Sequence, residues 1–142
     1  MALRDCLVFI AGMGLLAASG AGPAQAAGPD REAAAKGKVI YQRYCASCHG
    51  LNARGDGALT GELKVPPADL TKLSARNGGI FPFAAVSRAI DGRQSIRSHG
   101  VPDMPVWGEI FKTTEGPDAP SVESAIGRLA HYLWTIQGEP PP

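Results

Sequence analysis

The chain has few of the residues that build disulfide scaffolds or nucleic-acid surfaces. Its 142 residues include three Cys, three Met and three His, and 14 Lys and Arg against 13 Asp and Glu leave a net charge of +1. Three Cys are too few for a disulfide framework, and a near-zero net charge argues against nucleic-acid binding, which needs a clustered basic excess. Aromatic residues are scarce at 6%, yet 44% of the chain is hydrophobic and only 19% is charged. This composition favours one folded domain over disorder.

The first 26 residues have the layout of a secretory signal peptide. Arg4 precedes an uncharged apolar run over residues 7–18, and Ala24-Gln25-Ala26 is a small-x-small cleavage pattern. We therefore expect a signal peptide at 1–26, export to the periplasm, and a mature domain over 27–142. The alternative is a retained membrane anchor, in which case the chain stays on the membrane. A membrane span needs about 20 predominantly apolar residues, and the Gly, Ser, Pro and Gln residues that follow the run weaken that alternative.

Cleavage of the signal peptide would reduce the number of Cys and Met residues in the mature chain. Cys6, Met1 and Met13 leave with the signal, so the mature chain keeps Cys45, Cys48 and a single Met, Met104. The exported compartment is oxidising, so a Cys pair there is expected to be a disulfide or otherwise occupied.

The hydrophobic pattern of the mature chain predicts an all-α fold. The first helix is capped by Asp30 and runs to the Cys pair, and the last helix is capped by Ser121. Between them we expect a short helix capped by Asp69 and a short helix after Pro105. A further helix has Pro82 at its first position and stops at Asp91-Gly92. Gly- and Pro-rich loops at 50–68 and 93–104 separate them, and no segment shows sustained period-two alternation.

The sequence Cys45-Ala46-Ser47-Cys48-His49 is the C-x-x-C-H pattern of c-type haem attachment. Residues three apart on a helical turn lie about 5–6 Å from each other on one face. Two thiols so placed can each add to one vinyl group of a haem that lies across that face, and His49 follows directly as an iron ligand.

Three other interpretations of the motif compete with haem attachment. A disulfide oxidoreductase needs a βαβ context, which is not seen here. A structural zinc site usually needs four ligands, and the remaining His residues and single Met supply a poor set. A plain disulfide leaves His49 without a role.

The chain resembles the small class I c-type cytochromes of the bacterial periplasm. The residues that carry the resemblance are Gly37-x-x-x-Tyr41, Cys45 to Gly50, Gly55-Asp56-Gly57, Pro66 to Leu70, Met104-Pro105-x-Trp107-Gly108, and the last helix with Tyr132 and Trp134. The resemblance implies a cytochrome c-like fold around one covalently bound haem c. It also implies a close crossing of the first and last helices, with Gly37 facing Tyr132 or Trp134.

The same resemblance implies how the iron is held. Met104, in a loop before Pro105, matches the family's second axial ligand, and His99 is the competing candidate. The carbonyl of Pro66 or Pro67 matches the family's acceptor for the other ring N–H of His49. Arg76, Arg93, Arg97 and Trp107 are candidates for contact with the haem propionates.

The attachment motif together with this resemblance predicts a periplasmic electron-transfer protein with His49/Met104 ligation rather than an enzyme. The expected partners are redox proteins: an oxidase, a reductase or a dehydrogenase. One alternative is the electron-acceptor subunit of a periplasmic dehydrogenase. Another is a ligand-binding or peroxidase module whose Met detaches from the iron. The net charge of +1 argues against strong electrostatic steering.

Overall fold

The regular elements of the described chain are all helices, as the sequence predicts. A computed structural model describes residues 28–93, 104–113 and 121–138. Its helices are α1 (Arg31–Tyr44), α2 (Ala46–His49), 3₁₀ turns at Thr60–Glu62 and Leu70–Lys72, α3 (Leu73–Arg76), α4 (Phe83–Asp91), α5 (Trp107–Thr113) and α6 (Val122–Thr135). None of these described helices is long and apolar enough to cross a membrane. The expected signal peptide (1–26), His99 and Arg97 lie outside the described residues.

The helix ends follow local signals in the sequence. The Asp30 carboxylate accepts a hydrogen bond from the Ala33 N–H at 2.9 Å, and the Ser121 hydroxyl accepts one from the Ser124 N–H at 3.2 Å. Helix α4 ends at Gly92, whose φ of 67° lies in the left-handed region that glycine adopts without strain. Pro82 immediately precedes this helix and is not its first residue, a one-position difference from the sequence prediction.

Helices α1 and α6 cross in close backbone contact at Gly37. A Cβ on Gly37 would overlap the Arg128 carbonyl oxygen and lie 3.0 Å from the Leu129 nitrogen. The crossing is therefore as expected, but Gly37 faces backbone and not an aromatic ring. Tyr132 meets α1 one turn away, where its ring lies 5.1 Å from that of Tyr41.

The core lies between α1, α6 and the loop that follows α2. Its most deeply buried side chains are Tyr41, Leu129, Ala130 and Ala53. Helices α4 and α5 pack on α6. This arrangement fixes the C-terminal end of α1, from which the Cys pair continues.

Candidate cofactor site

The two Cys of the motif occupy a single helical turn that continues α1. The His49 N–H donates to the Cys45 carbonyl at 2.9 Å, and the Cys48 N–H donates to the same oxygen at 3.2 Å. Both thiols are half-buried and free. Burial raises the pKa of the Cys45 thiol to about 12, and Cys48 adds a smaller effect in the same direction. Burial therefore disfavours the Cys45 thiolate, which is the reactive form in disulfide exchange and zinc binding.

The Gly-rich loop after the motif folds back onto the carbonyls of this turn. The Gly55 N–H donates to the His49 carbonyl at 2.8 Å, and the Gly57 N–H donates to the Cys48 carbonyl at 3.1 Å. The Thr60 hydroxyl donates to the Cys48 carbonyl as well, at 3.2 Å. Since a helix end leaves such carbonyls without partners inside the helix, these bonds hold the attachment turn in place.

Tyr41 ties α1 to the residue that follows the motif. Its hydroxyl donates to the Gly50 carbonyl at 2.6 Å in a buried position, and Tyr41 itself is 1% exposed. Burial raises the pKa of Tyr41, so the phenol keeps its proton and remains a donor at neutral pH.

We expect Tyr41→Phe to lower the free energy of unfolding by about 0.5–1.5 kcal/mol, the net contribution of one hydrogen bond. The Gly50 carbonyl keeps its second bond, from the Ala53 N–H at 3.1 Å. Urea unfolding of the holoprotein measures this loss. Tyr44→Phe is the matched control, since the Tyr44 hydroxyl makes no hydrogen bond with the described residues. Equal stability of the two variants would show that the Tyr41 bond contributes nothing.

The imidazole of His49 is oriented by the loop that carries Pro66 and Pro67. Its Nδ1 lies 3.1 Å from the Ala68 carbonyl oxygen. Burial lowers the pKa of His49, and the hydrogen bond to Ala68 opposes this in part. A neutral ring that donates from Nδ1 leaves Nε2 as the nitrogen with a free lone pair, which is what an iron ligand requires.

The acceptor for His49 is a correction to the sequence prediction. The expected carbonyl belonged to Pro66 or Pro67, and the structure uses Ala68, the next residue. The Pro67 carbonyl oxygen instead packs on Gly55, where a Cβ would overlap it. Because of this close contact, the Pro67 carbonyl points toward Gly55, and the Ala68 carbonyl is the one that reaches the His49 ring.

Met104 lies at the start of a segment that packs beside the motif. It is 38% exposed and is followed by Pro105 and helix α5. In α5 the ring of Trp107 lies 5.7 Å from that of Tyr44, the residue before Cys45. The segment is therefore anchored next to the attachment turn. The competing ligand His99 is not among the described residues.

An ion-pair cluster that the sequence did not predict lies where the end of α4 meets α5 and α6. Arg93 binds the Asp91 carboxylate with Nε–Oδ1 at 2.5 Å and Nη2–Oδ2 at 2.9 Å, and it lies 3.4 Å from Glu123 of α6. A Cβ on Gly108 would lie 2.6 Å from the Arg93 Nε. Arg93 is thus engaged by carboxylates of the chain, and α5 begins directly against this cluster. Only the short Asp91–Arg93 spacing hinted at it in the sequence.

The residues present fit a haem attached through two thioethers. The attachment turn presents two free thiols one turn apart and an imidazole with a free nitrogen. Large apolar side chains are also exposed on segments that follow the motif in the chain: Leu59, Val65 and Ile80, the last 71% exposed. An apolar macrocycle is the kind of group that covers such side chains.

The helical fold and the attachment turn define a c-type cytochrome. The model of the family described as cytochrome c oxidase, cbb3-type, subunit III matches residues 32–115, more than half of the chain. The chain belongs to this family. Its cofactor is a covalently bound haem c with iron, and its chemistry is haem-based electron transfer.

A curated relative shares part of this domain. The chain is 50% identical over 38 residues to the cbb3-type cytochrome c oxidase subunit CcoP of Azospirillum brasilense. The aligned part spans 27% of this chain and 13% of that relative. No solved structure gives a significant match.

Proposed function

We propose that this chain is a periplasmic electron carrier whose haem iron is held by His49 and Met104, and that it exchanges electrons with a cbb3-type oxidase. The observation that carries the proposal is the His49 ring, held through Nδ1 by the Ala68 carbonyl at 3.1 Å on the turn that bears both free thiols. The bound haem supplies an iron that alternates between the ferric and ferrous states.

The chain's own residues hold the cofactor and exclude water from it. Cys45 and Cys48 provide the covalent anchors, and the Ala68 carbonyl fixes the direction of His49. The rings of Tyr44, Trp107 and Phe111 lie within 5.7 Å of one another beside Cys45 and shield that side of the site. With His49 and Met104 both bound, the iron would have no open position, so it would pass electrons without binding a substrate.

The family match supports an oxidase as the partner. The relative's name places it in a cbb3-type oxidase, which favours this partner over the periplasmic dehydrogenase that the sequence left as an alternative. The signal-peptide layout of residues 1–26 supports the periplasmic side. The net charge of +1 favours an encounter with weak salt dependence.

Stopped-flow mixing of the reduced holoprotein with a purified cbb3-type oxidase in aerated buffer tests the proposal. We expect rapid loss of the ferrous absorption band, with little change in rate between low and moderate ionic strength. The cyanide-inhibited oxidase is the control and should slow the reaction to autoxidation. Oxidation no faster than autoxidation with active oxidase, together with fast reduction by a periplasmic dehydrogenase, would favour the dehydrogenase-subunit alternative.

A further inference from the structure

The side chain of Gln137, just beyond the end of α6, bridges three backbone groups. Its Nε2 donates to the Leu70 carbonyl at 2.8 Å and to the Leu133 carbonyl at 2.6 Å. Its Oε1 accepts from the Ser74 N–H at 2.9 Å. Both ends of the amide are used, so Gln137 fastens the C-terminal end of α6 to the Leu70–Ser74 segment.

A single residue, Asp69, separates the Leu70–Ser74 segment from Ala68, whose carbonyl orients His49. Asp69 accepts from the Thr71 N–H at 2.9 Å and from the Thr71 hydroxyl at 2.6 Å. Arg76 donates to the Asp69 carbonyl at 3.0 Å. Asp69 is therefore fixed by three hydrogen bonds, two of them from the segment, and Asp69 is the residue that joins the segment to Ala68.

Besides Gln137, two backbone hydrogen bonds attach this segment to other elements among the described residues. The Leu70 N–H donates to the Ala53 carbonyl at 2.7 Å, and the Gly138 N–H donates to the Thr71 carbonyl at 3.0 Å. The second of these comes from the residue after Gln137. Loss of the Gln137 amide bonds therefore weakens the attachment of the segment to α6, while the Leu70–Ala53 bond remains.

We propose that Gln137 is a positioning residue for His49: it holds the Leu70–Ser74 segment against α6 and thereby keeps the Ala68 carbonyl within hydrogen-bond distance of Nδ1. The inference rests on the proposed role of His49 as an iron ligand. A hydrogen bond from the second ring nitrogen makes the imidazole a stronger electron donor. This donation favours ferric over ferrous iron, so a longer His49–Ala68 bond raises the reduction potential.

Gln137→Leu removes all three hydrogen bonds without adding charge, and Gln137→Asn shortens the amide so that it cannot span the three groups. For both holoproteins we expect the equilibrium preference for ferric over ferrous iron to fall by between threefold and tenfold. A tenfold fall corresponds to a rise in the reduction potential of about 59 mV for a one-electron couple. We also expect faster solvent exchange of the His49 ring N–H. Spectroelectrochemistry and proton NMR of the ferric protein measure these two effects. If Gln137→Leu does not fold, Gln137→Asn carries the test.

Thr135→Val is the matched control. The Thr135 hydroxyl donates to the Tyr132 carbonyl at 2.6 Å at the same helix end, with no hydrogen bond to the Leu70–Ser74 segment. We expect it to lower the melting temperature and leave the potential and the ring N–H exchange unchanged. A Gln137 variant that behaves in the same way, with stability alone affected, would overturn the inference.

The wild-type spectrum separates this inference from the proposed function. A hyperfine-shifted ring N–H assigned to His49 in the ferric protein shows that His49 binds the iron. Its absence contradicts the proposed ligation whatever the Gln137 variants do. Its presence, with an unaltered potential in both Gln137 variants, contradicts the positioning role alone.

Discussion

The Met104→Ala holoprotein is expected to lose the near-infrared charge-transfer band of thioether-bound ferric haem and to show a lower reduction potential. Met ligation favours ferrous iron, so its loss shifts the couple toward the ferric state. Axial ligands tune haem potentials over about 0.8 V, and we expect a fall on the order of 0.1 V or more. Optical spectroscopy and spectroelectrochemistry measure both effects.

Carbon monoxide provides a second measurement on the same variant. If His49 and Met104 hold the iron as proposed, the wild-type ferrous protein should not bind CO without denaturant, because no axial position is open. Met104→Ala should bind it readily, because alanine leaves the sixth position open. CO binding by the wild-type protein would instead support the ligand-binding or peroxidase module.

His99→Ala is the control for the Met104 variant. It should keep the ferric spectrum and potential of the wild type if Met104 is the ligand. An unchanged spectrum and potential in Met104→Ala, with both altered in His99→Ala, would transfer the ligand role to His99 and make the haem bis-histidine.

The sequence predicted the features of the fold that depend on local chemistry. Asp30 and Ser121 cap helices because their side chains reach N–H groups three residues away. Helix α4 stops before Gly92 because that position needs a positive φ. The spacing of Cys45, Cys48 and His49 is local in the same sense, since one helical turn aligns all three. Such features depend on residues that are close together in the chain, so they can be predicted from the sequence.

Features that depend on contacts between distant segments were not predictable. The choice of the Ala68 carbonyl over Pro67 depends on the packing of Pro67 against Gly55. Gln137 reaches Leu70 and Ser74 across more than 60 residues of chain. An isolated Gln near a C-terminus carries no signal for such a role, because the signal lies in the tertiary fold.

Gly37 is a feature that was predicted only in part. The sequence predicted that the first and last helices approach closely at this residue, and the structure shows that it faces the backbone of Arg128 and Leu129. We expect Gly37→Ala to lower the free energy of unfolding by about 3 kcal/mol or more, at the upper end for overpacking. The added methyl meets the backbone of Arg128 and Leu129, which cannot move aside as a side chain can, so α1 and α6 must separate. Because α1 continues into Cys45, we also expect a lower yield of haem-attached protein.

Gly127→Ala is the matched control on the facing helix, next to Arg128. A Cβ there meets nothing within 4 Å, and alanine is a better helix former than glycine by about 1 kcal/mol. Denaturant unfolding of the two holoproteins should therefore give changes of opposite sign: a loss at Gly37 and a gain of up to about 1 kcal/mol at Gly127. A gain at Gly37 as well would mean that only helix propensity matters there and that α1 and α6 do not touch at this residue. A loss at Gly37 alone would establish the crossing as the contact that sets the position of α1, and with it the position of the haem-attachment turn.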